Sequence, residues 1–111
     1  KQQIYTINAD GTNLKNLTNN SQNEVYSVKL FWSPDSSRIA YYQGKAGDAG
    51  GEQQDIYAID INRGTAQNLT QKSSNYDALS WSPDGKLIAF ATGESNHQKL
   101  YTMSADGSQL N

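Results

Sequence analysis

Short runs of apolar and β-branched residues, separated by turns rich in Gly, Pro, Asp and Asn, recur along the whole chain. The clearest example is residues 79–90, where two apolar stretches flank Ser82-Pro83-Asp84-Gly85. Proline cannot donate a hydrogen bond within a sheet and aspartate bonds backbone amides in turns, so this segment predicts a strand, a tight turn and a second strand. Nowhere does a helical stripe of apolar residues persist beyond about one turn. The pattern therefore predicts antiparallel β-sheet.

The strand–turn–strand segment occurs twice. Residues 30–41 align without a gap with residues 79–90, and the two copies share Trp, Ser, Pro, Asp, Ile and Ala at matching places. The motif residues are Trp32, Pro34, Asp35, Trp81, Pro83, Asp84 and Gly85. In the first copy Ser36 stands where the second has glycine, so that turn has to form without one. We interpret the set as turn and packing residues of a structural repeat.

A second kind of hairpin alternates with the first. Its leading strand is predicted at Ile4, again at Ile56 and a third time at Leu100. With the strands of a complete repeat labelled A to D, the chain reads C-D, then A-B-C-D, then A-B-C with part of D. Strands are predicted at residues 4–8, 14–18, 25–32, 38–43, 56–60, 66–70, 76–81, 87–92 and 100–104.

Four short antiparallel strands repeated every 40 to 50 residues or so are typical of a β-propeller blade. We therefore predict one all-β unit, with strands C-D in residues 1–18, a complete blade in 19–70 and strands A to C with part of D in 71–111. A closed ring takes about 4 to 8 blades. The chain is thus expected to be a segment of a larger ring or to complete one as a homo-oligomer, and strand C at both ends favours the segment.

The motif from Trp81 to Phe90, followed by Leu100-Tyr101 and the turn at Asp106-Gly107, resembles the repeat of TolB-type propellers, also called WD-repeat-like propellers. A similar repeat recurs in the gating domain of prolyl-oligopeptidase-type peptidases. The resemblance implies an antiparallel propeller and, for TolB-type members, an exported bacterial protein, periplasmic or extracellular, whose loops dock other proteins. No signal segment precedes the first predicted strand, so we expect either that an export signal was removed or that this is not the natural start.

Composition narrows the functional classes. The 11 acidic and 9 basic residues are scattered, and without a basic cluster nucleic acid is not an expected partner. No apolar run approaches the roughly 20 residues of a membrane helix, so membrane insertion is not expected. The chain has no cysteine. It also has no Gly-x-Ser-x-Gly motif and no phosphate-binding glycine loop, so we expect neither catalysis of its own nor a cofactor.

Variation in loop length falls on one end of the predicted blades, the end that carries the B–C loops. The first such loop, residues 44–55, is five residues longer than its counterpart and contains four glycines. Candidate binding residues on the two loops are Lys45, Asp48, Glu52, Asp55, Glu94 and His97. The acidic residues could meet a cation or a basic partner, or the loop could be a solvated hairpin tip. No calcium-ligand spacing is present, so a metal is not expected.

His97 is the only histidine, predicted in the second B–C loop, where it could act as a general base or simply be solvated. Trp32 and Trp81 could stack on sugars, but one tryptophan per repeat beside a turn favours blade packing. We expect a non-catalytic protein-binding or scaffolding module. The alternatives are the propeller of a serine peptidase or of a polysaccharide-acting enzyme, and an excised or engineered propeller fragment.

Overall fold

The computed structural model describes residues 3–18, 29–44, 54–71, 74–94 and 97–108, and the regular elements in these ranges are all β-strands. The strands are β1 (Tyr5–Thr6), β2 (Lys15–Asn16), β3 (Leu30–Trp32), β4 (Arg38–Gly44), β5 (Gln54–Asp60), β6 (Ala66–Asn68), β7 (Tyr76–Trp81), β8 (Leu87–Glu94) and β9 (His97–Ser104). Their order agrees with the predicted alternation of the two hairpins. Within the described ranges no helix is long and apolar enough to cross a bilayer.

The strands form three antiparallel sheets, which we call blades 1 to 3. Blade 1 is β1–β2, blade 2 is β3–β4–β5–β6 and blade 3 is β7–β8–β9. Within each blade every strand pairs with the next one along the chain, as in an up-and-down meander. The predicted all-β propeller architecture is confirmed, with blade 2 the complete four-stranded unit.

The two Ser-Pro-Asp turns have the same internal hydrogen bonds. In the first, the hydroxyl of Ser33 donates to Asp35 Oδ1 at 2.7 Å and accepts from the amide of Arg38 at 3.0 Å. In the second, Ser82 makes both corresponding bonds, at 2.6 and 3.0 Å. The closing residue has positive φ in both turns, 73° at Gly85 and 64° at Ser36. Serine therefore adopts the conformation that glycine takes in the second copy.

Two apolar clusters lie between the blades. The cluster between blades 1 and 2 contains Ile4, Leu17, Ile39, Tyr41 and Ile59. The larger cluster between blades 2 and 3 combines residues of β4 and β5 with Leu79 of β7 and the β8 and β9 residues Ile88, Phe90 and Met103. Alternate residues of the central strands face opposite neighbours, so both faces of blade 2 are buried. This explains why its strands are apolar at successive positions.

Strand bounds differ from prediction at the hairpin tips and at the blade edges, where β1, β2 and β6 are shorter than the predicted strands 4–8, 14–18 and 66–70. β8 runs to Glu94 and β9 begins at His97, where Glu94 and His97 pair, so the prediction of His97 in a loop was wrong. Asp55, predicted to close the first B–C loop, lies in β5 opposite Gln43 of β4. Both hairpins continue through polar residues because strands pair through their backbones. A pattern of apolar side chains therefore does not predict where the pairing ends.

Candidate functional site

The blades have two different ends. One end, the turn face, carries the Ser-Pro-Asp turns and the turns that follow β1, β5 and β9. The other end, the loop face, carries the tips of the β4–β5 and β8–β9 hairpins. Of the predicted binding residues on the loop face, Lys45, Asp48 and Glu52 lie outside the described residues.

Asp55 is held by its own blade. Its Oδ1 accepts a hydrogen bond from Thr70 Oγ1 at 2.9 Å, and the same hydroxyl accepts from the amide of Ile56 at 3.2 Å. The carboxylate thereby joins β5 to the segment that follows β6. Asp55 and the Glu94–His97 pair belong to different blades. Among the described residues no group of three or more His, Cys, Asp and Glu side chains is placed to hold a metal ion.

The β8–β9 hairpin projects at the loop face. β7 starts with Tyr76 opposite Thr92, so the two residues of β8 beyond Thr92 have no partner on β7. Gly93 has φ 129°, and a Cβ at this position would lie 2.6 Å from the carbonyl oxygen of His97. Only glycine fits that close approach. The tip therefore holds His97 exposed beside the backbone of Glu94, at a point where another molecule can reach it.

The acidic residues of the turn face are committed to their own turns. Asp10, Asp60, Asp84 and Asp106 each accept a backbone amide from a residue two positions later. Asp35 accepts the amide and the hydroxyl of Ser37 as well as the hydroxyl of Ser33, and these bonds lower the pKa of its carboxyl to about 2. Carboxylates engaged in this way stabilise turns, and they offer little to a ligand.

Trp81 joins blade 3 to blade 2. Its Nε1 donates to the carbonyl oxygen of Phe31 in β3 at 2.9 Å. The guanidinium carbon of Arg38 lies 5.0 Å from the centre of the Trp81 ring, a cation–π distance, and Arg38 Nη1 donates to the carbonyl oxygen of Ala105 at 2.9 Å. The ring is partly buried against the core between these blades. The predicted packing role of Trp81 thus agrees with its contacts.

Trp32 and Leu30 are the β3 counterparts of Trp81 and Leu79, and they differ in burial. Leu79 is 4% exposed, whereas Leu30 is 46% and Trp32 is 52% exposed. A packing role for Trp32 stays a prediction, since its ring is only half covered in this chain. Both side chains point towards blade 1, whose described strands β1 and β2 are of the C–D type. We call these two residues the β3 patch. Sequence reasoning missed it because a repeat motif does not say whether its neighbour is present.

A cleft of about 230 Å³ lies between blades 2 and 3. The aromatic rings of Tyr76, Phe90 and Tyr101, together with Met103, form much of its lining. Phe90 packs edge to face on Tyr76, with ring centroids 5.4 Å apart, and is stacked on Tyr101 at 5.9 Å. Burial is the main cause that raises the pKa of Tyr76 above its usual value. The sequence analysis did not identify this cleft.

Hydroxyl groups line one side of the cleft, and they are already engaged. Ser74 and Thr92 share a hydrogen bond of 2.9 Å between their hydroxyls, and Thr92 also donates to the carbonyl oxygen of Asn75. Thr70 donates to Asp55. The backbones of Gln54 and Ser74 exchange two bonds of 2.9 Å, which connect the two blades beside the cleft.

The fold and these contacts can be set beside known proteins. The TolB beta propeller domain family matches residues 1–111, the whole chain. The chain belongs to this family. The uncharacterized protein Atu1656 of Agrobacterium fabrum is 28% identical over 112 residues, which cover 99% of this chain and 34% of that protein. This TolB-domain chain thus spans about a third of the length of its relative.

Solved structures with TolB in their names are similar in fold. A TolB candidate from Agrobacterium tumefaciens has a TM-score of 0.74 and 26% identity, and the match covers 99% of this chain and 36% of that one. TolB from Acinetobacter baumannii has a TM-score of 0.67 and 27% identity, with 98% of this chain and 25% of that one covered.

Two enzymes share the fold alone. An oligogalacturonate lyase from Vibrio parahaemolyticus is 19% identical, with a TM-score of 0.69 over 96% of this chain and 28% of that one. The tricorn protease is 16% identical, with a TM-score of 0.69 over 92% of this chain and 11% of that one. At such identities the likeness concerns the blade architecture.

Proposed function

We propose that this TolB-domain chain is a non-catalytic, protein-binding module of the bacterial cell envelope that works as part of a larger propeller ring. The β3 patch carries the proposal, because Leu30 and Trp32 expose apolar surface of the kind that their counterparts in β7 bury against another blade. Exposed adjoining apolar residues of this kind mark protein interfaces.

The occupant that fits the β3 patch is an A–B hairpin of a neighbouring blade. Trp81 shows what such a neighbour provides, namely a strand-A carbonyl oxygen for the indole and an arginine for the ring face. The chain covers about a third of its relative, so further blades of a longer protein would supply this hairpin.

The loop face is the proposed site for a partner protein. Its projecting β8–β9 tip displays His97, and Asp55 lies on the same face in the neighbouring blade. Loops and hairpin tips held by a rigid scaffold commonly carry recognition. The turn face is a poorer candidate because its carboxylates are bonded within their own turns. The periplasmic location is part of the proposal and follows from the TolB family.

The test is a capture experiment with the purified chain and a bacterial envelope extract, followed by a binding titration with each protein recovered. We expect saturable binding that weakens at least tenfold in the double variant Glu94→Gln/His97→Gln. Lys86→Gln is the matched control, since it removes a charge from the exposed turn face and should leave binding unchanged. Equal binding by the double variant would contradict the loop-face assignment. Cleavage of peptides or of oligogalacturonate by the purified chain would contradict the non-catalytic assignment.

A further inference from the structure

The cleft between blades 2 and 3 has a counterpart between blades 1 and 2. Phe90 and Tyr101 stack with centroids 5.9 Å apart and planes at 17°, and the corresponding pair Tyr41 and Tyr57 stacks at 5.9 Å and 24°. Each pair faces the preceding blade. The two sites therefore share a backbone arrangement and an aromatic pair, and they can be compared position by position.

The difference lies in the residues beside the aromatic pair. Gln43 is 3% exposed in blade 2, and the shorter Thr92 takes its place in blade 3. Removing side-chain volume from a packed interface leaves a cavity where the neighbours cannot collapse. In blade 3 the shorter side chain leaves room beside the aromatic pair, where the cleft of about 230 Å³ lies.

The lining selects the ligand class. Aromatic rings and Met103 supply apolar walls, while the hydroxyls of Thr70, Ser74 and Thr92 are already bonded to protein groups. A sugar, with many hydroxyls to satisfy, would find few partners here. The hydroxyls of Ser74 and Thr92 each keep an acceptor lone pair for an incoming donor, whereas Thr70 already accepts the amide of Ile56. The carboxylate of Asp55 lies behind Thr70 and disfavours an anion.

The volume sets the size. A cavity of about 150 Å³ accepts one benzene ring, and sites for drug-sized ligands are about 300 to 1,000 Å³. The cleft lies between these limits and fits one substituted ring. We propose that it is a binding site for a small, neutral phenol, whose ring lies against Tyr101 and Met103 and whose hydroxyl donates to the Ser74–Thr92 pair. This inference does not depend on the protein-binding role proposed above.

The test uses 4-methylphenol as the probe and the methyl resonance of Met103, the only methionine of the chain, as the reporter. We expect a saturable shift of this resonance with a dissociation constant on the order of 1 to 10 mM, as is usual for a ligand of this size. Benzoate, an anion of similar size, should bind at least tenfold more weakly. The absence of a saturable shift with 4-methylphenol would overturn the proposal, and equal binding of benzoate would overturn its restriction to neutral ligands.

Two variants locate the site. Thr92→Gln introduces the residue that stands at the corresponding position of blade 2 and should weaken binding at least tenfold. If this variant does not fold, Thr92→Leu is the second choice, because it fills the cleft without an amide. Lys99→Gln is the matched control, because Lys99 pairs with Thr92 across the β8–β9 hairpin but is exposed and outside the cleft lining. Unchanged binding in a folded Thr92 variant would show that the probe binds elsewhere.

Discussion

β3 and β7 carry the same Leu-x-Trp pattern and both pair antiparallel with the next strand, β7 with a register shift between Asp77 and Ser80, yet the two pairs of side chains have different surroundings. Leu79 is buried and the indole of Trp81 is hydrogen-bonded to blade 2, whereas Leu30 and Trp32 are about half exposed. The local sequence thus determines the strand and the direction of the side chains. Burial depends on whether a neighbouring blade provides a strand A and an arginine.

The difference assigns distinct roles to identical residues. Trp81 connects two blades. Trp32 holds the equivalent position in β3, but among the described residues no strand A of another blade lies against it. Such a surface is apolar and directional, because an indole N–H requires an acceptor at a fixed place. The comparison therefore supports the proposal that the β3 patch is a surface for another blade, and it can be challenged by paired substitutions.

The largest expected effect is at the two tryptophans. Trp81→Ala removes a ring packed on the core together with its hydrogen bond to Phe31, and should lower the free energy of unfolding by about 3 kcal/mol. Trp32→Ala should change it by less than about 0.5 kcal/mol, as for an exposed site. Urea unfolding of both variants measures the difference. Equal losses would mean that the two rings are buried alike in solution and would refute the comparison.

A smaller effect is expected at Arg38, which contacts the face of Trp81 and the carbonyl oxygen of Ala105. Arg38→Gln should cost about 2 kcal/mol, the lower end of the sum for a cation–π contact and a hydrogen bond from a charged group, because the side chain is only partly buried. Leu87, which holds the corresponding position in blade 3, is 44% exposed. Leu87→Gln is therefore the control and should cost less. A double-mutant cycle with Trp81→Ala that gave no coupling energy would argue against the contact.

The two Ser-Pro-Asp turns provide a third pair. Ser36→Gly should raise the free energy of unfolding by about 0.5 kcal/mol, because serine at φ 64° is strained and glycine is not. Gly85→Ser should lower it by a similar amount, because serine is strained at φ 73°. No clash adds to this loss, since a Cβ at Gly85 would meet only Pro34 Cδ, at an ordinary 3.7 Å. Thermal unfolding of both variants gives the two signs. A loss of stability in Ser36→Gly would show that the serine side chain is required in its turn.

The smallest effect concerns acid stability and compares the same two turns. The pKa of Asp35 is lowered to about 2 by hydrogen bonds from Ser37 and Ser33, and that of Asp84 is lowered by Ser82 and Lys86. A depressed native pKa stabilises the fold above the ordinary value near 3.8, and this contribution is lost as the pH falls through the native pKa.

Because Asp35 accepts the additional hydroxyl of Ser37, Asp35→Asn should reduce the loss of stability between about pH 5 and about pH 2 more than Asp84→Asn does. Urea midpoints measured across that range test the order. An identical acid dependence in the two variants would show that the hydroxyl of Ser37 contributes nothing.

Much of the fold was predictable because each repeat contains residues that favour turns between its strands. The turns at Pro34 and Pro83 contain residues whose backbone preferences are local, and the apolar runs between turns are too short for helices. One set of misses lies at the hairpin tips, where backbone pairing extends β8 to Glu94 and starts β9 at His97 irrespective of side-chain polarity. The other lies in the edge strands β1, β2 and β6, which are shorter than predicted. The family resemblance reached the same fold from the motif residues.

The candidate sites were less predictable because they depend on contacts between blades. Thr92 looks unremarkable in the sequence, and only its superposition on Gln43 of the preceding blade shows that a shorter side chain stands beside the cleft. The exposure of Trp32 likewise follows from what lies beside β3 and not from its own motif. Aligning the repeats and comparing side-chain sizes column by column is the signal that could have found the cleft.

The most direct measurement of the difference in exposure between Trp32 and Trp81 is fluorescence quenching by acrylamide. It uses two single-tryptophan variants, Trp81→Phe and Trp32→Phe, in dilute solution. The account predicts that Trp32, the indole left in the first variant, is quenched several times more efficiently than Trp81, because it is 52% exposed and Trp81 is hydrogen-bonded between blades. Equal quenching of the two indoles would contradict the claim that β3 presents an uncovered blade surface.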